Sequence, residues 1–578
     1  MSVAGIVALV AVVVVAIVTI VIGSLGVRVA RTTDDFLAAS RTVGTRANAA
    51  AISGQYLSAA SFLGIAGIVL KDGVDGLWYP VGFTAGYLAL LFFVAAPLRR
   101  SGAYTVPDFA EVRLDSTLLR TVTTWFVVLI GWLYLLPQLQ AAGLALTVLT
   151  TAPPWVGVVA VGLVVTASVT FGGMRSMTFV QAFQYWLKLT ALAVPALVVL
   201  GVFVLGPTRE GAPPPPVFSA PTSVDVSTPV TLQVPAPVEV GVRGEVDGAR
   251  LNGQASWAPG PHQVDAGTTL TFPAGAPVPV VSDADPDEAS WSAPLTGTGE
   301  GHSLLATYSL VLALLLGTMG LPHVLVRFYT NPDGRAARRT TVVVLAMLGG
   351  FYLLPVLLGA LSRFYVPQLL VTGQTDAAVL LLPSAALPGW AGVAVAALVA
   401  AGAFAAFLST SSGLLLSVAG VLSTDLLPRR LGDFRIAAHV GGVVPIVAAL
   451  GATRLDFSLT VSLAFALAAS TFCPLLVLGI WWKGLTDRGA VVGMLVGGGA
   501  ATAAVGSTLA GVAPGGWVGV LLARPALVTV PLTFLVMVMV SRSSPHRVPS
   551  NVGRTLLRLH APERLGLGDA RRGTRSTS

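Results

Sequence analysis

The chain is short of charge and almost without cysteine. Asp, Glu, Lys and Arg make up 10% of its 578 residues, against 54% hydrophobic, where a soluble domain carries about 25% charged residues. That shortage excludes an ordinary water-soluble globule. The one cysteine, Cys473, sits in an apolar run, so no disulfide framework exists. Phosphate-cradling glycine loops, metal-ligand His/Cys spacings and a nucleophile beside a base are all missing, which argues against an enzyme. The lone Gly172-Gly173 pair reads as a tight turn. The apolar run from Val3 to Gly23 has no basic stretch before it and no small-residue cleavage site. It is also too long for a signal peptide and reads as a retained span.

What the chain has in quantity is hydrophobic length, with a mean hydropathy of +0.81. Apolar stretches of roughly 20 residues give about thirteen spans. They fall near 3–27, 47–70, 76–97, 121–147, 155–172, 184–206, 302–327, 340–362, 388–421, 435–452, 457–481, 489–512 and 517–541. The net charge of +8 resembles a nucleic-acid cue, but its distribution argues otherwise. The arginines gather in alternate short loops: Arg28, Arg31, Arg41 and Arg46; Arg99, Arg100 and Arg113; Arg335, Arg338 and Arg339; Arg429, Arg430 and Arg435. Such loops are cytoplasmic by the positive-inside rule. The N-terminus is therefore expected outside and the C-terminus inside a plasma membrane, as an odd number of crossings requires. The bilayer is the expected partner, with no nucleic acid and no obligate protein partner.

Residues 207–301 break the apolar pattern. They open on Pro213-Pro214-Pro215-Pro216 and hold eleven acids against three arginines, a net charge of −8. An acidic segment opposite basic loops belongs outside. The alternation from Val230 to Val242 suggests strands, so a small β-rich extracellular insertion is expected. The tail after Val540 carries eight arginines (Arg542, Arg547, Arg554, Arg558, Arg564, Arg571, Arg572, Arg575) and reads as a solvated segment beside the inner leaflet.

Two polar signatures interrupt the spans: Gly54-Gln55-Tyr56-Leu57-Ser58-Ala59-Ala60-Ser61-Phe62-Leu63-Gly64 and Phe407-Leu408-Ser409-Thr410-Ser411-Ser412-Gly413. Hydrocarbon tolerates such groups only where they face protein, water or a solute. Two patches far apart in sequence suggest one shared site, as a secondary transporter needs. The first signature resembles the first core helix of the sodium:solute symporter family, in its cation–acetate/monocarboxylate branch. Phe171-Gly172-Gly173-Met174-Arg175, the run from Gly317 to Phe328, and Leu463-Ala464-Phe465-Ala466-Leu467-Ala468-Ala469-Ser470 are similar to that family in their own places. The resemblance covers about residues 32–500, interrupted by the insertion.

The resemblance implies an all-α integral membrane protein with a leucine-transporter-type 5+5 inverted repeat. The implied organisation is an extra N-terminal helix (1–30), a first repeat (47–206), the insertion (207–301), a second repeat (302–482), two C-terminal helices (489–541) and a cytoplasmic tail (542–578). It also implies a sodium ion as coupling ion, held by the carbonyls of Gly54, Leu57 and Ala406 and the hydroxyls of Ser409 and Thr410. A small hard cation needs several oxygens to replace its water. The bland alternative is that the Ser409–Ser412 hydroxyls bond back to their own helix.

The substrate is expected beside the two helix breaks, with Ser58, Ser61, Gln138 and Thr318 as its candidates. A half-helix N-terminus suits a small carboxylate, and no aromatic stack is evident for a ring. No Lys or Arg is expected near the centre of these spans. Gln55 stands where the branch commonly has an acid, which puts a proton-linked role of that position in doubt. His323 and Arg327 read as anchors at the lipid–water interface, Arg175 as a topology determinant, and Trp481 and Trp482 as an interfacial belt. The expected function is sodium-coupled import of a small monocarboxylate such as acetate, propionate or pyruvate. The alternatives are another small solute or proton coupling, then a membrane sensor or a channel.

Overall fold

The computed structural model describes residues 3–25, 43–172, 174–206, 216–218, 220–226, 229–281, 288–295, 303–426, 431–451, 457–512, 514 and 516–562. Arg28, Arg31, Arg41, Arg209, Glu210, Pro213 to Pro215, Asp283, Asp285, Asp287, Glu300, Arg429, Arg430, Arg564, Arg571, Arg572 and Arg575 lie outside the described residues, as do Gly173 and the side chain of Arg175.

Among the described residues, twelve helices are long and apolar enough to cross a membrane. The thirteenth crossing expected from the sequence is a helix broken in two. Its first half, α2 (Thr45–Tyr56), follows α1 (Val3–Leu25). Its second half is a π turn over Ala60–Gly64 that runs on into α3 (Ile65–Asp72). Neither half spans a bilayer alone at 1.5 Å per residue. There follow α4 (Trp78–Phe93), α5 (Thr117–Thr150), α6 (Pro154–Phe171) and α7 (Met174–Leu205). After the insertion come α8 (Ser303–Gly320), α9 (Gly334–Tyr365), α10 (Gly389–Val421), α11 (Leu431–Gly451) and α12 (Phe457–Trp481). The last two membrane helices are α13 (Asp487–Leu509) and α14 (Ala526–Ser543).

Two sets of five helices pack by one rule. The first helix of each set lies on the fifth of its own set (α2 on α7, α8 on α12), and the second of each lies on the first of the other (α4 on α8, α9 on α2 and α3). The third helices pair, α5 with α10, and so do the fourth, α6 with α11. Both first helices are broken. In the second set the cause is covalent: α8 ends at Gly320, Leu321 is extended, and Pro322, which has no N–H to give, starts a four-residue helix to Leu325. Small residues bring the breaks close to the fifth helices. A Cβ on Gly54 would run into the Gln181 carbonyl oxygen, and one on Gly317 would stand 2.5 Å from the Phe465 carbonyl oxygen.

The insertion is β-rich, as its alternation suggests. Its described residues hold seven strands: β1 (Thr222–Val226), β2 (Val230–Val234), β3 (Val238–Val246), β4 (Ala249–Trp257), β5 (Gly260–Val264), β6 (Thr268–Phe272) and β7 (Val280–Val281). The sheet order is β1-β6-β3-β5-β2-β7, with β4 paired to β3 across the tight turn at Asp247-Gly248, both at positive φ. Its core of Leu232, Val240, Val264, Leu270 and Phe272 is continuous with Leu70 and with Val366, Leu370 and Val371 after α9. Trp291 ties it down further. Its indole N–H donates to the Val69 carbonyl at 2.8 Å, and its ring lies under the Arg363 guanidinium.

Candidate functional site

A break in a membrane helix leaves backbone groups without ladder partners, and each must be satisfied by protein. At the α2 break the partners are side chains from three other helices, α5, α7 and α10. The Ala59 N–H donates to Gln138 Oε1 of α5 at 2.9 Å, and the Thr410 hydroxyl of α10 donates to the Gln55 carbonyl at 2.8 Å. The Ser409 hydroxyl is 2.8 Å from the Gly54 carbonyl and 3.1 Å from that of Ala406. Of the five residues expected to hold sodium, Gly54, Ala406 and Ser409 are thus joined by one hydroxyl, while Thr410 is turned to the neighbouring Gln55 carbonyl.

A lysine from α7 is already there. The Lys188 ammonium donates to the Gly54 carbonyl, to the Leu57 carbonyl at 2.7 Å and to Ser409 Oγ at 2.8 Å. Its three N–H donors meet three acceptors, in full burial. This corrects the expectation that no Lys or Arg stands near the centre of the spans. Lys188 is one of only three lysines in the chain, set between Leu187 and Leu189 inside an apolar span. A lone intramembrane cation is the signal that would have singled it out.

A second buried cation stands two turns down. Arg327, expected at a lipid–water interface, is fully buried instead, and His323 beside it is 1% exposed. The Arg327 guanidinium donates to Gln55 Oε1 at 3.0 Å, to Thr178 Oγ1 at 2.9 Å and to Gln181 Oε1. Gln181 Nε2 in turn donates to the Ser409 carbonyl at 3.1 Å, and Gln55 Nε2 to the His323 carbonyl at 2.6 Å. One continuous network therefore joins α2, α7, α10 and the segment after α8. Gln55, neutral, fits as the acceptor of a guanidinium proton and a donor to a carbonyl, which an ionised acid could not be.

The four substrate candidates lie on the other side of the break and are all enclosed. Ser58, Ser61, Gln138 and Thr318 are between 0% and 2% exposed. The Thr318 hydroxyl pairs with Tyr56 Oη at 2.9 Å, and Ser61 Oγ with Tyr352 Oη at 3.3 Å. Gln138 Nε2 has no partner, and Ser58 Oγ, beside Tyr134, makes no hydrogen bond of good geometry. No aromatic stack is evident in the sequence, yet the structure gathers aromatic rings here. Tyr56 meets Tyr87 edge-on at 4.7 Å, Phe83 stacks on Tyr352 at 5.9 Å, and Phe465 lies between Phe83 and Tyr134. These rings come from five different helices, so the sequence order hides them. They pack around the break, which itself carries Tyr56. Trp481 is half-exposed at a helix end, where the interfacial belt was expected.

No group of His, Cys, Asp and Glu able to hold a multivalent metal occurs among the described residues. The polar groups described are helix-break carbonyls, hydroxyls and amides together with the side chains of Lys188 and Arg327.

The model of the sodium:solute symporter family matches residues 36–211 and 281–497, more than half of the chain, with the insertion lying largely between the two matched blocks. A symporter of Bacillus subtilis named YwcA, itself uncharacterised, is 30% identical over 489 residues, 82% of this chain and 81% of its own. A protein of Corynebacterium glutamicum named as a monocarboxylic acid transporter is 29% identical over 538 residues, 89% of this chain and 87% of its own. The fold is similar to that of a solved Na+-coupled sialic acid symporter in a substrate-bound, outward-open state. The TM-score is 0.64 at 14% identity, covering 93% of this chain and 98% of that one. The fold is thus the leucine-transporter type expected from the motifs, and the relatives are transporters, not enzymes. By its matched blocks and its twice-broken core, the chain belongs to the sodium:solute symporter family.

Proposed function

We propose that this chain is a secondary symporter that carries a small monocarboxylate, of the size of acetate, propionate or pyruvate, together with a cation by alternating access. The observation that carries the reading is the pair of donors at the first break, Gln138 Nε2 and Ser58 Oγ. Both are buried, Gln138 Nε2 has no partner and Ser58 Oγ has only the Tyr134 hydroxyl beside it, and both stand at the start of the half-helix that runs from Ala60 to Asp72. Buried donors without acceptors are costly unless a ligand supplies them. A carboxylate is an acceptor on both oxygens, and the positive end of a helix dipole favours it further. Lys188, bonded to the Leu57 carbonyl one residue before Ser58, places its amino group nearby. The surrounding rings keep the space compact, which suits a short acid.

Family membership supports sodium as the coupling ion, held at Gly54, Leu57, Ala406, Ser409 and Thr410. The occupation of that cage by Lys188 favours the second reading, coupling to protons. In the plasma membrane the basic loops face the cytoplasm and the acidic insertion faces outside, by the positive-inside rule. The test is uptake of radiolabelled pyruvate, acetate and propionate into proteoliposomes of the purified chain. Concentrative uptake of one or more under an imposed cation gradient is expected. Accumulation of proline or a sugar with no response to the three acids refutes the substrate class while leaving the transporter reading standing.

A further inference from the structure

We infer that Lys188 is a built-in replacement for the sodium ion at the α2 break, so that this chain does not draw sodium through the Gly54–Leu57–Ser409 cage. The inference deepens the symporter reading above and rests on it for its transport arm only.

The ammonium sits where the ion was expected. Of the five oxygens, those of Gly54, Leu57 and Ser409 face Lys188 Nζ. The Ala406 carbonyl is within reach of the Ser409 hydroxyl proton, and the Thr410 hydroxyl is turned to the Gln55 carbonyl. A sodium ion would need most of these oxygens at once, and three of the five already face the ammonium. Ammonium and sodium carry the same charge and seek the same acceptors, so a cage filled by one repels and excludes the other.

The lysine is also held there. The helices packed most closely on α7 are α10, α2, α9, α1 and the short helix Ala378–Ala386. Neither α7 nor any of these contains an Asp or Glu, so no carboxylate on them competes for the ammonium. The nearest other cation in the network, Arg327, is engaged with Gln55, Thr178 and Gln181. The cage is also the electronegative end of a half-helix, because α2 stops at Tyr56 and leaves its last carbonyls free. A cation tethered by a side chain supplies the charge that holds α2 against α10 but cannot leave with the substrate. Sodium bound at such a place would come and go, and its gradient could do work. A tether at the same place removes that source of drive.

Two measurements on the purified full-length chain decide this. Scintillation proximity with radioactive sodium is expected to show no saturable binding to the wild type above a choline control. Lys188→Ala, which empties the cage, is expected to bind it. In proteoliposomes, the initial rate of radiolabelled pyruvate uptake is expected to be the same in sodium as in choline, and unmoved by an inward sodium gradient. Saturable sodium binding to the wild type that Ser409→Ala abolishes overturns the inference. So does pyruvate uptake that a sodium gradient raises about tenfold or more, a difference of about 1.4 kcal/mol in drive. If wild type and a folded Lys188→Ala both fail to bind, the lysine is not what excludes the ion, and the inference falls. Should Lys188→Ala not fold, the wild-type sodium arm still stands alone. A chain that ignores pyruvate fails the substrate reading, and the binding arm still decides the role of Lys188.

Discussion

Replacing Arg327 by Met keeps the volume of a long side chain but removes its donors. In the wild type Arg327 serves Gln55 Oε1 at 3.0 Å and Gln181 Oε1, both buried. The Thr178 hydroxyl it also reaches has a second partner in the Met174 carbonyl. Two amide oxygens are therefore stranded in Arg327→Met, each costing about 1–3 kcal/mol, for a gross loss on the order of 2–6 kcal/mol. Relief from burying a cation offsets part of this. If as little as about 1.4 kcal/mol remains in the barrier to unfolding, inactivation is roughly tenfold faster. The assay is the half-life of the monodisperse peak on size exclusion at fixed temperature in detergent. Gln181→Met and the double variant complete a cycle, and because the two side chains share one bond, the double variant is expected to lose less than the sum of the singles. A wild-type half-life for Arg327→Met, or strict additivity, refutes the network as a unit.

Other outcomes follow from single contacts. Thr318→Tyr is expected to abolish pyruvate uptake while the protein still inserts, because a Cβ on Gly86 would already be 2.5 Å from Thr318 Cβ and α4 leaves no room there. Gly54→Ala is expected to cut the yield of folded protein sharply, read by fluorescence size exclusion, since its methyl meets the Gln181 carbonyl of α7. Ser256→Cys in a Cys473→Ala background is expected to react with an impermeant maleimide in intact cells, as Ser256 is exposed on β4; labelling only after lysis reverses the orientation of the whole chain. Asp247 in the β3–β4 turn is partly desolvated, but hydrogen bonds from His262 and the Gln263 N–H hold its carboxyl below the usual range. A depressed carboxyl stabilises the fold above its ordinary pKa of about 4 and loses that contribution as pH falls through its folded value. Amide exchange in β3–β5 is therefore expected to quicken below about pH 4, and less so in Asp247→Asn.

The order of apolar lengths and polar interruptions in the chain determined most of the architecture. Thirteen runs, an acidic alternating segment and two hydroxyl-bearing signatures are local features, and local features survive in a linear reading. Hydrocarbon thickness and the cost of unpaired backbone leave few other ways to fold them. That the Gly54 and Leu57 carbonyls and the Ser409 hydroxyl lie at a helix break could be read from the motif residues themselves. What occupies the cage was decided only by packing. Lys188 lies 131 residues beyond Leu57 and 221 before Ser409, and only the close approach of α7 to α2, which Gly54 permits, brings the three together. Arg327 was misread for the same reason. A basic residue near a helix end resembles an interfacial anchor until Gln55 and Gln181, from two other helices, are seen to enclose it. The aromatic centre comes from helices far apart in the chain, and a spacing rule confined to one helix cannot register side chains that meet from five.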